Sequence, residues 1–74
     1  MREILDSKSF GLLIRIERRA QKLTQEQLAG VAGVGVRFVR ELEAGKESCQ
    51  LGRAIRVAAA LGLTISVSSR RESS

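Results

Sequence analysis

The chain has no histidine, tryptophan or tyrosine, and a single cysteine, Cys49. One thiol cannot form a disulfide within the chain, and without histidine a zinc site runs short of ligands. Cys49 therefore reads as a small, half-buried side chain in a reducing compartment. The lack of His and Tyr also removes the usual general acids and bases. Carboxylates and Ser hydroxyls remain, but no Gly-x-Ser-x-Gly turn, phosphate loop or paired-carboxylate pattern accompanies them. We expect no catalytic residue, no metal, no cofactor and no enzyme activity. Long apolar runs are missing too. None approaches the ~20 residues that span a bilayer, and MREILDSKSF has no signal-peptide apolar region. The expectation is a soluble, cytoplasmic chain, with no membrane partner.

What is present is positive charge. Thirteen Lys and Arg against eight Asp and Glu leave a formal charge of +5 and a pI near 10.7, which calls for an anionic partner. Seventy-four residues make one small domain with one core. A domain this size buries only about 60% of its unfolded surface, so pairing with a second copy is expected.

Residues 1–7 read as an N-terminal arm, and 8–62 as the folded domain. Helical periodicity is expected over 8–22, with Ser7 or Ser9 as the cap. Leu12, Ile16 and Arg19 form one stripe there, with Leu13 beside it and Lys22 near the helix end. Thr24 with Gln27 three residues later is a capping box, and Leu23 can staple to Leu28. It opens a second helix over 25–32 with Leu28, Ala29 and Ala32 inward. Gly33 ends it as a left-handed residue would. A third helix covers 36–44 and stops at Gly45. A fourth, capped by Ser48 or Gln50, covers 51–61, with Leu51, Ala54, Ile55, Ala58 and Leu61 inward. After Gly62, the stretch LTISVSS alternates apolar Leu63, Ile65 and Val67 with Thr64, Ser66 and Ser68. That is a strand signal over 63–68. The tail, 69–74, reads as disordered. A lone strand cannot satisfy its backbone groups, so it is expected to pair with the same strand of a second copy across a two-fold axis. The fold class is thus all-α, four helices, with one C-terminal dimerisation strand.

Two helices joined by a tight Gly-containing turn, in a small basic domain, form the helix-turn-helix pattern. In the third helix Val39 and Leu42 point to the core. Val36, Arg37, Arg40, Glu41 and Ala44 share the opposite face, the one that would lie in the DNA major groove. Arg37 can bond O6 and N7 of guanine together. Val36 can pack on a thymine methyl. Glu41 can accept from a cytosine amino group, or pair with Arg37 at i,i+4. Arg40 can reach a base or a phosphate. Gly35, at the cap of this helix, would let the backbone approach a sugar-phosphate strand. Gln25, at the start of the second helix, and Lys46 are candidate phosphate contacts, with Arg53 a weaker one and Arg56 weaker still. Thr24 reads as a structural cap only. Glu43, beside Leu42, needs a partner in the interior, and Arg18 is the natural one for a structural ion pair.

The stretch LTQEQLAGVAGVGVRFVRELEAGK closely resembles the Cro/phage-repressor type of helix-turn-helix, the XRE family. The residues that carry it are Leu23-Thr24-Gln25, Leu28-Ala29, Gly33-Val34, Val39, Leu42-Glu43 and Gly45-Lys46. Leu51, Ile55, Val57-Ala58 and Ala60-Leu61-Gly62 extend it over roughly 10–62. The resemblance implies a lambda-repressor-like fold and a dimer on palindromic operator DNA. It implies phosphate contact by Gln25, base contacts from Val36, Arg37 and Arg40 or Glu41, and the Arg18–Glu43 pair. Three departures stand out: Gly35 replaces a usual Ser or Thr, Ala44 replaces a usual Asn, and LTISVSS replaces a fifth helix. A terminal strand in so small a domain is similar to the HipB-type antitoxins. Such a likeness implies strand-paired dimers, autorepression of an operon, and a HipA-type kinase toxin as partner. Two readings stand beside it: a module that neutralises a partner enzyme without binding DNA, and a phage-type or metabolic repressor with no toxin.

Overall fold

The computed structural model describes residues 6–69 and 71. Four helices account for its regular structure: α1 (Ser7–Ala20), α2 (Gln25–Ala32), α3 (Val36–Glu43) and α4 (Leu51–Ala60). The readings of residues 1–5 as an arm, and of 70 and 72–74 as tail, lie outside the described residues. Among the described residues no helix is long and apolar enough to cross a membrane.

α1 begins one residue earlier than its periodicity suggests, because its cap is Asp6 and not Ser7 or Ser9. The Asp6 carboxylate accepts from the Ser9 backbone N–H at 2.7 Å. α2 carries the full capping box: Thr24 Oγ1 accepts from the Gln27 N–H at 3.0 Å, while the Thr24 N–H donates to Gln27 Oε1 at 2.8 Å. Those two bonds start a helix of only two turns, which packing must then hold.

All four helices close in one way. A backbone N–H reaches back five residues: Leu23 to Arg18, Val34 to Ala29, Lys46 to Glu41 and Leu63 to Ala58, at 3.0–3.1 Å. Each bond requires the preceding residue in the left-handed region. Gly33, Gly45 and Gly62 take it without penalty, while Lys22, at φ 60°, takes it with a side chain. Lys22 therefore lies beyond α1 as its terminating residue rather than in its last turn.

The core gathers Ile14 of α1, Leu28, Ala29 and Ala32 of α2, Val39 and Leu42 of α3, and Ala54, Val57, Ala58 and Leu61 from α4 and its end. α2 packs on both α3 and α4, and α1 packs on α3. Two faces differ from their periodicity. α1 turns Gly11, Ile14 and Arg18 inward, leaving Leu12 54% and Ile16 42% exposed. The backbones of α1 and α3 meet so closely that a Cβ on Gly11 would collide with the Leu42 carbonyl oxygen. Only glycine permits that crossing, and it selects the face. In α4, Val57 is fully buried while Leu51 is 73% exposed. The helix has apolar residues on both sides, and α2 covers the side bearing Ala54, Val57 and Ala58.

Residues 63–69 carry no regular secondary structure in the single chain. A strand is defined by its ladder, and this segment has no ladder partner among the described residues. Leu63 is half-buried against the core, and Val67 is 96% exposed.

Candidate nucleic-acid interface

α2 and α3 are joined by Gly33, Val34 and Gly35. Gly33, at φ 73°, ends α2, and Gly35 enters α3 in extended geometry. The Gly35 carbonyl accepts from Phe38 and Val39, while no side chain caps the first N–H groups of α3. A Cβ at Gly35 would meet nothing within 4 Å, so the fold itself does not demand glycine there.

α3 presents Arg37 and Arg40 to solvent, with the Arg37 side chain 88% accessible. Val36 is half-buried and packs against the core cluster, so its methyls are only partly free for a base. Phe38, whose direction lies between the two faces of the helix, also packs on the core edge. Glu41 is half-buried and stands between two cations. Its Oε2 lies 3.5 Å from Arg37 Nε and 3.3 Å from Lys46 Nζ. Sequence spacing showed only the first of these. The second follows from Gly45, whose left-handed turn brings Lys46 back over α3.

Behind this face, three helices are tied at one carboxylate. Arg18 donates from Nε to Glu43 Oε2 at 2.6 Å and from Nη2 to Glu43 Oε1 at 3.0 Å. Arg18 Nη1 donates to the Leu23 carbonyl at 2.8 Å. Gln25 Nε2 donates to Glu43 Oε1 at 3.1 Å. Burial pushes the Glu43 pKa up, but the hydrogen bonds from Arg18 and Gln25, with the charges of Arg18 and Arg15, outweigh it and hold the carboxyl below its ordinary value. The hydrogen bond to Glu43 raises the Arg18 pKa, against the opposing effect of burial. Gln25 thus stands at the start of α2 with its amide oriented by Glu43. Sequence reasoning missed that link, since Gln25 and Glu43 are 18 positions apart. Arg53 is exposed near the start of α4, away from any carboxylate partner among the described residues.

A second feature lies beside this interface. An open groove of about 620 Å³ runs between Phe10 of α1, Cys49, Leu51 and Ile55 of α4, and Ile65 and Val67 of the C-terminal segment. The exposure of Leu51 and Ile55, read from their spacing as core, is what forms one wall.

A helix-turn-helix family model matches residues 14–67. An uncharacterised HTH-type transcriptional regulator, y4mF, of Sinorhizobium fredii (strain NBRC 101917 / NGR234) is 50% identical over 58 residues, which cover 78% of this chain and 76% of that protein. A solved HipB–O4 20mer complex superposes with a TM-score of 0.85 at 16% identity, over 95% of this chain and 99% of that one. A HipA–HipB–O2–O3 complex gives a TM-score of 0.86 at the same identity, with 95% and 99% covered. The shared fold is the four-helix arrangement, in which α2 and α3 are joined by a short turn. With that arrangement and the match over most of its length, the chain belongs to the XRE-type helix-turn-helix family of transcriptional regulators.

Proposed function

We propose that the protein is a dimeric, sequence-specific repressor that binds operator DNA through α3. The observation that carries this reading is the outward pair Arg37 and Arg40 on a short helix anchored from behind by Val39, Leu42 and Glu43. Arg37 reads a guanine, Arg40 a base or phosphate, and Val36 offers its exposed edge to a thymine methyl. Gln25, Gly35, Lys46 and Arg53 meet phosphates on either side, and the first turn of α2 directs free N–H groups the same way. The dimer forms through the 63–68 segment, where Ile65 and Val67 line the apolar groove with Leu51 and Ile55. A two-fold axis there would present two copies of α3 to two half-sites.

The likeness in fold to HipB, solved with HipA and with O2–O3, favours an antitoxin that represses its own operon and binds a HipA-type kinase toxin. The groove favours a second reading, a module that neutralises a partner enzyme without touching DNA. Both place the protein in the cytoplasm, the first at the nucleoid.

Electrophoretic shift against the DNA upstream of its own gene tests the proposal. A dimer contacting about eight phosphates should lose affinity against log salt with a slope near −7. No shift, or a flat slope, removes the repressor reading and leaves the partner-enzyme module.

A further inference from the structure

Glu41 is an acidic residue on a helix face that otherwise offers Arg37 and Arg40 to solvent. Against a polyanion such a carboxylate costs affinity unless something offsets it. Its geometry supplies the offset. One oxygen, Oε2, is ion-paired with Arg37 Nε, one turn before, at 3.5 Å and with Lys46 Nζ, beyond the helix end, at 3.3 Å. Lys46 is held a second time, since its backbone N–H donates to the Glu41 carbonyl at 3.1 Å. The left-handed Gly45, at φ 86°, makes that return possible.

We propose that Glu41 is a specificity-determining positioning residue, which links the Arg37 base reader to the Lys46 phosphate anchor and does not itself read a base. This rests on the DNA-binding reading above. With Nε the guanidinium nitrogen nearest the carboxylate, Nη1 and Nη2 of the exposed Arg37 side chain point away as an end-on fork for guanine O6 and N7. On the right sequence both cations find their targets while Glu41 stays neutralised by them. On any other sequence Arg37 loses its guanine and, like Lys46, can reach only phosphates, so the carboxylate competes for Arg37 and repels the strand. Glu41 thus weakens non-specific binding more than specific binding.

The test uses full-length wild type and Glu41→Gln, with circular dichroism to check folding. A randomised duplex library is enriched on each, and affinities are measured for the selected duplex and for poly(dI-dC) across salt. For Glu41→Gln we expect about two- to fivefold tighter binding to poly(dI-dC) at low salt, the scale of two exposed ion pairs. We also expect a steeper non-specific salt slope, by up to ~0.9 per phosphate gained, and a specificity ratio lowered by the same two- to fivefold factor. An unchanged ratio overturns the inference. So does a changed preference at one base pair with unchanged poly(dI-dC) affinity, which would make Glu41 a direct reader. A wild type that enriches no sequence and leaves poly(dI-dC) unbound overturns the DNA-binding reading, and the inference with it.

Discussion

Arg18 and Glu43 meet in parallel, Nε on Oε2 and Nη2 on Oε1, at 2.6 and 3.0 Å, with side chains 10% and 4% accessible. The pair joins α1 to α3 behind the outer face of α3. Replacing Glu43 by Gln leaves the Arg18 guanidinium inside with no counter-charge. We expect a loss of about 3 kcal/mol in urea unfolding, out of the roughly 4–11 kcal/mol that a chain this long has. A loss under 1 kcal/mol would show that the pair is incidental to stability.

The same carboxylate sets an acid response. Glu43 has a lowered pKa in the folded chain. The folded state therefore binds its proton less readily than the unfolded one. Its stabilisation is present above the unfolded carboxylate pKa of ~4.3, and fades as pH falls through the lower folded value. Asp6, held low by its hydrogen bonds with Ser9, acts in the same direction. Unfolding midpoints taken from pH 6 down to pH 2 should drop steeply for wild type and more gently for Glu43→Gln. Parallel curves would remove Glu43 as the cause.

Gly35 separates what the fold needs from what a ligand needs. Its φ of −76° and ψ of 151° suit any residue, and a Cβ there meets only open space. Gly35→Ser should add a cap worth a few tenths of a kcal/mol. The same change should weaken operator binding if the backbone approaches a phosphate closely. Unchanged affinity would remove that role for Gly35.

Lys22 holds the left-handed position that glycine holds at the other three helix ends. Lys22→Gly should relieve about 0.5–1 kcal/mol of strain, net of the added freedom of the unfolded chain. A higher urea midpoint with an unchanged slope would register it.

Ile65 is half-exposed in the single chain and faces the apolar groove. Ile65→Lys places a charge where we propose the second copy packs. The variant should keep its helices by circular dichroism and sediment as a monomer. A variant that remains dimeric would move the dimer contact elsewhere.

Much of the scaffold behind the candidate interface could be read before the structure, because its signals are local. The Thr24–Gln27 capping box, the Gly33 turn, and Val39 with Leu42 each lie within one or two helical turns. The face of α1 could be read only at Arg18, the partner expected for Glu43. Its inward residues are Gly11, Ile14 and Arg18, one without a side chain and one charged, while Leu12 and Ile16 sit outside. Apolar periodicity gives weight only to side chains that avoid water, so it chose the wrong stripe. α4 misled for the opposite reason, carrying apolar residues on two sides with one covered by the chain itself. The links from Gln25 to Glu43 and from Lys46 to Glu41 depend on how helix ends meet, which spacing along one helix cannot express.

The crossing at Gly11 has a bearing on how the outer face of α3 can change. α1 touches the end of α3 through backbone, with the Glu43 carbonyl oxygen 2.9 Å from where a Cβ would stand. Side-chain contacts can repack as neighbours vary, whereas two backbones in contact have no such latitude. The tilt of α3 is therefore gauged by a missing atom. Residues on its outer face can be exchanged while that gauge stays put, but a methyl group at position 11 would shift the whole helix at once.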